Sequence, residues 1–335
     1  MIKFVILFFA AILFYSCEEG DLHPNNPLPD TVLKWRLQDS THTMIMVDIH
    51  CVDQYKAYVV GSRRGSMYAN SLFYTVEAGD PWRYRSYPPE FNHSDMKSVY
   101  FQDRNTGWVA GTYGIILHTT DQGISWTQQQ TNTDKHIRDI TFRNTIVGHA
   151  VGDDTNILHT TDAGSSWMNL GLNKHNGDFN AVEFNYAKVL MIGWSWKNNP
   201  VFLLANDGFN YTGYTIQTGY TPQVKINALE VMDHTAIWIS GELGLIAKTT
   251  DEGHSWSRYY VEDRPDINDI MFIDKQKGWA VGDDGTIVRT TDGGSSWIKE
   301  NLNTDDDFNA LYMVNDTVGW AITNKYVYRY SKEIE

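Results

Sequence analysis

The chain has 335 residues, room for one large domain or two ordinary ones, and its 42% hydrophobic and 13% aromatic residues are ample for a packed core. A formal net charge of −14 excludes sequence-independent nucleic-acid binding, which depends on phosphate neutralisation by Lys and Arg, and disfavours adhesion to anionic lipid. Twelve tryptophans are a large complement of residues that stabilise only when they are packed.

The first element is MIKFVILFFAAILFYSC, with one cation at Lys3 and an apolar run from Phe4 to Tyr15. That run is too short to span a bilayer but suits the apolar core of a secretory signal. LFYSC resembles a lipoprotein cleavage box, although Phe14 and Tyr15 are bulkier than that pattern usually holds. The expectation is a signal peptide over 1–16 and a lipid on Cys17; an ordinary cleaved signal or a retained anchor is the alternative. Glu18-Glu19-Gly20-Asp21 resembles the acidic run of surface-exported lipoproteins of the Bacteroidota. Residues 17–30, with Pro24, Pro27 and Pro29, read as a flexible tether. The expected location is therefore the cell envelope, lipid-anchored to the outer membrane on its periplasmic or surface face. With Cys17 lipidated, Cys51 has no disulfide partner, so the remaining domain (31–335) must be held by its core.

From residue 31 onward the chain repeats. TTDQGISW (119–126), TTDAGSSW (160–167), TTDEGHSW (249–256) and TTDGGSSW (290–297) are copies of one octet, with final tryptophans at 126, 167, 256 and 297. LANDGFNY fills the double gap with Tyr211 in the Trp position. YTVEAGDPW adds Trp82, and LKWRLQ adds Trp35 one period earlier. A second phase reads aromatic-apolar-apolar-Gly: YVVG (58–61), WVAG (108–111), WISG (238–241) and WAVG (279–282), with HAVG and WAIT as degraded copies. One unit then comprises four short strands, INDIMFID, GWAVG, TIVRTT and SWIKE, joined by turns at KQK, DDG and DGGS. Units of this kind are propeller blades, and the sequence-based expectation is an all-β, seven-bladed β-propeller of four-stranded blades. The last unit supplies three strands and VLKWRLQD is an orphan fourth, so the ring is expected to close by an N-terminal strand completing the last blade and removing the open edges.

In the octet, Asp-x-Gly reverses the chain between strands three and four. The Asp carboxylate takes backbone N–H groups, the Gly tolerates positive φ, and the Trp fills space between radial sheets. Asp121, Gly123, Trp126, Asp162, Gly164, Trp167, Asp251, Gly253, Trp256, Asp292, Gly294 and Trp297 are accordingly structural, with the four aspartates at separate points of the rim. The motif S/T-x-D-x-G-x-S/T-W is that of the Asp-box, or bacterial neuraminidase repeat. The longer string GWAVGDDGTIVRTTDGGSSW (278–297) resembles the photosystem II assembly and stability factor family over about residues 31–330. That resemblance implies a non-enzymatic propeller that binds a protein or peptide, in a host that need not be photosynthetic.

Binding chemistry is then expected on the face opposite the octets, where irregular loops converge on the central channel. Arg63 and Arg64 stand out in an acidic protein, and Trp194 and Trp196 lie outside both repeat phases. Lys97, Arg138, Asn180, Asn227, Asn268 and Asn309 align as a ring at the starts of the first strands, there either to hold a peptide or sugar or to satisfy strand ends. Lys97 and Arg138 join the partner-binding candidates. Sialidase chemistry is disfavoured: no Phe-Arg-Ile-Pro segment and no arginine-triad spacing occur. No P-loop, G-x-S-x-G or C-x-x-C is present, and the eleven histidines lack metal-ligand spacing. The reading is a protein- or peptide-binding envelope scaffold with no catalytic, cofactor or metal residues; a glycan-binding or glycoside-hydrolysing propeller is the alternative.

Overall fold

The computed structural model describes residues 33–41, 44–63, 71–171, 177–185, 188–195, 200–205, 211–216, 223–233 and 236–332. The expected signal peptide, tether and Cys17 lie outside these residues, as do Arg64 and Trp196. The described strands form seven four-stranded antiparallel sheets. Blade 1 comprises Met44–Cys51, Ala57–Arg63, Ser71–Thr75 and Arg83–Ser86; blade 2 comprises Met96–Phe101, Gly107–Gly111, Ile116–Thr119 and Thr127–Gln128. Blade 3 holds Ile137–Phe142, Gly148–Gly152, Ile157–Thr160 and Met168–Asn169; blade 4 holds Gly177–Asn185, Lys188–Ser195, Pro200–Ala205 and Tyr211–Thr215. Blade 5 holds Ile226–Asp233, Ala236–Gly241, Leu245–Thr249 and Ser257–Tyr260; blade 6 holds Ile267–Phe272, Gly278–Gly282, Thr286–Thr290 and Ile298–Lys299. Blade 7 takes Phe308–Asn315, Val318–Thr323 and Tyr326–Lys332 from the end of the chain and Leu33–Ser40 from its start.

That last pairing closes the ring. Leu33 lies opposite Lys332, Trp35 opposite Tyr330 and Ser40 opposite Tyr326. Two short 3-10 turns, Pro89–Phe91 and Thr112–Gly114, lie between strands, and the outermost strand of blades 2, 3 and 6 is only two residues long. The octet Trp sits just before that short strand, which has too few residues to bury a face of its own.

Packing lies in the seams between blades. Each aromatic of the first repeat phase belongs to one seam: Trp82 (blades 7 and 1), Trp126 (1 and 2), Trp167 (2 and 3), Tyr211 (3 and 4), Trp256 (4 and 5), Trp297 (5 and 6) and Trp35 (6 and 7). The second-phase aromatic of one blade stacks on the last Phe of the next blade's inner strand. Tyr58 lies on Phe101 at 3.6 Å between centroids, Trp108 on Phe142 at 3.8 Å and Trp238 on Phe272 at 3.8 Å. The octet Trp then meets the same Phe edge-on: Trp126, Trp167 and Trp297 at 6.4, 5.9 and 5.8 Å. Offset stacking plus edge contact suits the ring quadrupoles. The leading glycine of GWAVG is part of this contact, because a Cβ at Gly278 would stand 2.6 Å from the Phe272 ring.

Candidate functional site

The octets resolve into four copies of one turn, and each copy is closed on itself. Thr290 Oγ1 donates to Asp292 Oδ1 at 2.8 Å and accepts the Gly294 N–H at 3.0 Å. Asp292 then accepts from Ser296 twice, the backbone N–H at 2.9 Å and the hydroxyl at 2.6 Å. Thr119-Asp121-Ser125, Thr160-Asp162-Ser166 and Thr249-Asp251-Ser255 repeat this set. The hydrogen bonds from Ser255 and Ser296 hold the Asp251 and Asp292 carboxyls down at about 2. The residue before the glycine and the glycine itself both take positive φ, as at Gln122 (69°) and Gly123 (79°). In blade 1 the frame survives without its aspartate: Thr75 Oγ1 accepts the Gly79 N–H at 2.9 Å. The four aspartates stay in blades 2, 3, 5 and 6, each with its valences used inside its own turn.

The chemistry gathers instead in a central cavity of about 490 Å³, lined by the innermost strand of every blade. Each inner strand carries a bulge, and the register slips at Val47, Lys97, Arg138, Asn180, Asn227, Asn268 and Asn309. The extra residue turns its side chain into the channel, which is why the aligned polar positions form a ring at the mouth. The glycine closing the second repeat phase makes room for the bulge. A Cβ at Gly111 would stand 2.0 Å from the Asp95 carbonyl oxygen, and one at Gly282 equally close to that of Asp266.

At the mouth, the side chains reach from one blade to the next. The amides of Asn180, Asn227, Asn268 and Asn309 donate to the carbonyls of Ile226, Ile267, Phe308 and Met46 at 2.6 to 3.1 Å. Arg138 is held by three bonds: Nε donates to Asp153 at 2.6 Å, Nη2 to Asp178 at 2.9 Å and Nη1 to Asn180 at 2.7 Å. These five residues tie strand ends across the blades, and Arg138, a partner-binding candidate in the sequence, has two carboxylates and an amide as partners within the ring. Lys97 differs; among the described residues its ammonium has only the Ser62 hydroxyl, at 3.4 Å.

One step inward, three aspartates do the same work as acceptors. Asp48, Asp139 and Asp269 each accept the N–H of the following residue and, through the other oxygen, the N–H of Val99, Val182 or Leu311 in the next blade, all at 2.8 Å. Ser98 donates to Asp139 at 2.9 Å, and Ala181, Ala228 and Ala310 fill the remaining places of this tier. Burial pushes the carboxyls of Asp48 and Asp269 up to about 7 and that of Asp139 upward.

The deepest tier is His50, Tyr100, Thr141, Glu183, Glu230, Met271 and Tyr312. His50 packs between the rings of Tyr100 and Tyr312, at 5.2 and 4.9 Å between centroids, and burial lowers its imidazole to about 4. The Tyr100 hydroxyl donates to the Phe142 carbonyl at 2.9 Å. Burial and neighbouring carboxylates raise Glu183 to about 8 and Glu230 upward. The sequence reading missed both inner tiers. A signal existed: the residue after each mouth position reads Asp, Ser, Asp, Ala, Ala, Asp, Ala around the ring.

The remaining candidates are dispersed. Arg63 ends a strand of blade 1 opposite Met44, and Trp194 lies in a strand between Asp178 and Pro200; both backbones are strand, where loop was expected. Their side chains, with Arg64 and Trp196, lie outside the described residues. Among the described residues no cluster of His, Cys, Asp and Glu is placed to hold a metal ion, and no helix is long and apolar enough to cross a membrane.

Comparison with known proteins places this architecture. The family model described as "Photosynthesis system II assembly factor YCF48" matches residues 29–132, 124–212 and 261–327. The photosystem II assembly lipoprotein Ycf48 of Synechococcus sp. (strain CC9902) is 28% identical over 95 residues, covering 28% of this chain and 26% of that protein. The solved structure of YCF48 bound to D1 peptide superposes with a TM-score of 0.73 at 18% identity, covering 89% of this chain and 97% of the other. Virginiamycin B lyase from Staphylococcus aureus gives 0.73 at 13% identity, with 90% and 100% coverage. Fold similarity at such identities extends to an enzyme and so does not carry function.

Proposed function

Because the chain belongs to the photosynthesis system II assembly factor YCF48 family, we propose that it is a non-enzymatic scaffold that binds a protein or peptide partner on the channel-mouth face, in the cell envelope. Family membership carries this reading, and the chemistry of the repeats supports it. The octets use their polar groups within their own turns, and the mouth asparagines use theirs between blades. Variation is left to the connections between strands, and Lys97 at the mouth and Arg63 at the end of a blade 1 strand are the cations nearest them in chain order. The YCF48 relative solved with D1 peptide offers a precedent for a peptide as the ligand of such a disc.

Anchoring through a lipid on Cys17, with 17–30 as tether, would place the disc at the outer membrane and supply reach without an interface of its own. A photosynthetic setting is not part of the proposal. The test is affinity purification of the tagged chain from detergent-solubilised membranes, comparing the natural sequence with Arg63→Glu/Arg64→Glu and with Lys97→Glu. Charge reversal should deplete one specific partner while leaving the melting temperature unchanged. Undiminished recovery of every partner by all variants would remove these cations from the site, and hydrolysis of a reporter glycoside would overturn the non-enzymatic reading.

A further inference from the structure

The deepest channel tier is divided by chemistry. In blade order, Tyr100, His50 and Tyr312 form one continuous aromatic arc over blades 2, 1 and 7, and Glu183 and Glu230 form a carboxylate arc over blades 4 and 5. Asp48, Asp139 and Asp269 stand one tier above them. None of these five carboxylates has a cationic partner among the described residues. Of the lining cations, Arg138 is neutralised at the mouth by Asp153 and Asp178, which leaves Lys97 alone there.

The acidic residues alone would make no site. A second feature points to a ligand: Tyr312 lines this channel with no hydrogen bond from its hydroxyl among the described residues, and Cys51, Glu230, Tyr100 and Glu183 are its electrostatic neighbours. Its donor and its acceptor lone pair are therefore open to whatever occupies the channel. The imidazole at the centre of the aromatic arc is neutral above its lowered value of about 4, so it sets no positive charge against a cation. A cavity of about 490 Å³ with mixed aromatic and polar walls is of small-ligand size.

From this geometry we infer that the channel is a receptor for an organic ammonium group, held between the Tyr100–His50–Tyr312 rings and the Glu183 and Glu230 carboxylates. Ring faces attract an alkylammonium through their quadrupoles, carboxylates accept its N–H donors, and the alkyl part covers Met271. Without a cation, burial and mutual repulsion keep the two glutamates largely protonated at neutral pH. A bound ammonium favours their ionised forms, so binding strengthens from about pH 6 to about pH 8 and releases protons. Asp48, Asp139, Asp269, His50, Lys97 and Arg138 are the other charged or titratable groups facing this space; the aspartates act in the same sense, and the mouth cations oppose it. The ammonium could be a free amine or the lysine side chain of a bound chain. The inference does not rest on the scaffold reading, since it needs only the described channel.

The test is isothermal titration calorimetry of the full chain at about pH 8 with n-butylammonium, N-acetyl-lysine methylamide and, as the uncharged isostere, N-acetyl-norleucine methylamide. Saturable binding of the two amines, one per chain, and none of the norleucine compound is the expected result. Glu183→Gln/Glu230→Gln should weaken amine binding by about tenfold or more, as loss of charge-assisted contacts does. Nuclear Overhauser contacts from the butyl methylenes to the Tyr100 and Tyr312 rings in the unmutated chain provide a second readout that does not depend on the variants folding. Tighter binding of the lysine derivative assigns the site to a partner's side chain, and tighter binding of butylammonium to a free amine. No saturable binding, affinity unchanged in the folded Gln variant, or contacts confined to the outer surface would overturn the inference. A failed partner pull-down with Arg63 and Arg64 reversed would leave it standing.

Discussion

At the scale of single residues, the octet separates two kinds of contribution that its spelling joins. Trp297 is 7% exposed and stands edge-on to Phe272, so Trp297→Ala should cost about 3–5 kcal/mol as a large-to-small core change. Thr290 is buried, and its hydroxyl both accepts the Gly294 N–H and donates to Asp292. Thr290→Val keeps the shape but strands both partners, and about 1–3 kcal/mol should be lost. Asp292 is exposed and its bonds compete with water, so Asp292→Ala should lose less than either. Urea denaturation of the three variants checks the order; equal losses at all three would contradict the division into packing and turn closure. The lowered carboxyls of Asp251 and Asp292 favour the fold above the unfolded value of about 4, and that contribution fades as pH falls toward about 2.

At the scale of elements, the blade is incomplete without its neighbours. Tyr58, Trp108 and Trp238 stack on a Phe that belongs to the next blade, and the mouth asparagines donate across the same boundaries. The seam between blades 5 and 6 is thereby fixed at two radii, by the Trp238–Phe272 rings at the periphery and by the Asn227 hydrogen bond at the channel. The strand Leu33–Ser40 closes the last seam on two sides. It pairs with Tyr326–Lys332, brings Trp35 onto Tyr330 at 5.1 Å, and lets Gln38 accept from the Trp320 indole at 3.0 Å. A chain beginning after Ser40 should melt well below the complete one and associate through the exposed edge of Tyr326–Lys332. Monomeric, cooperative unfolding of that truncated chain at the original temperature would show that closure by this strand is dispensable.

For the whole molecule, the channel makes stability depend on pH. Asp48 and Asp269 near 7, Glu183 near 8, and the raised Asp139 and Glu230 all bind protons more tightly in the fold than in the unfolded chain. Between about pH 4 and about pH 8 the folded state therefore holds more protons, and stability falls as pH rises through that window. His50 acts in the opposite direction, because its imidazole must charge on unfolding below about 6.5. Burial lowers His118 and His159 in the same sense, but the five carboxyls outweigh the three imidazoles, so the melting temperature should be highest in mildly acid solution and decline toward about pH 8. Asp269→Asn and Glu183→Gln should flatten the decline. A melting temperature that climbs steadily across that window would refute this account of the channel.

The sequence by itself determined what is local and periodic: four strands to a unit, a turn closed by Thr, Asp, Gly and Ser, and an aromatic at each period. These follow from spacing because each involves residues a few positions apart. It also aligned Lys97, Arg138 and the four asparagines, since one residue type at one point of a repeat shows in the spelling. What those side chains do was decided only by the tertiary structure. Arg138 looks free in the sequence and is clamped because Asp153 and Asp178 come to it from neighbouring turns. Glu183 and Glu230, about one period apart in the chain, become opposed to an aromatic arc drawn from blades 2, 1 and 7 only when the ring closes. Tyr312 and His50 are separated by most of the chain and share that arc for the same reason. Closure brings the two ends of the sequence together, and no local spacing records such a meeting.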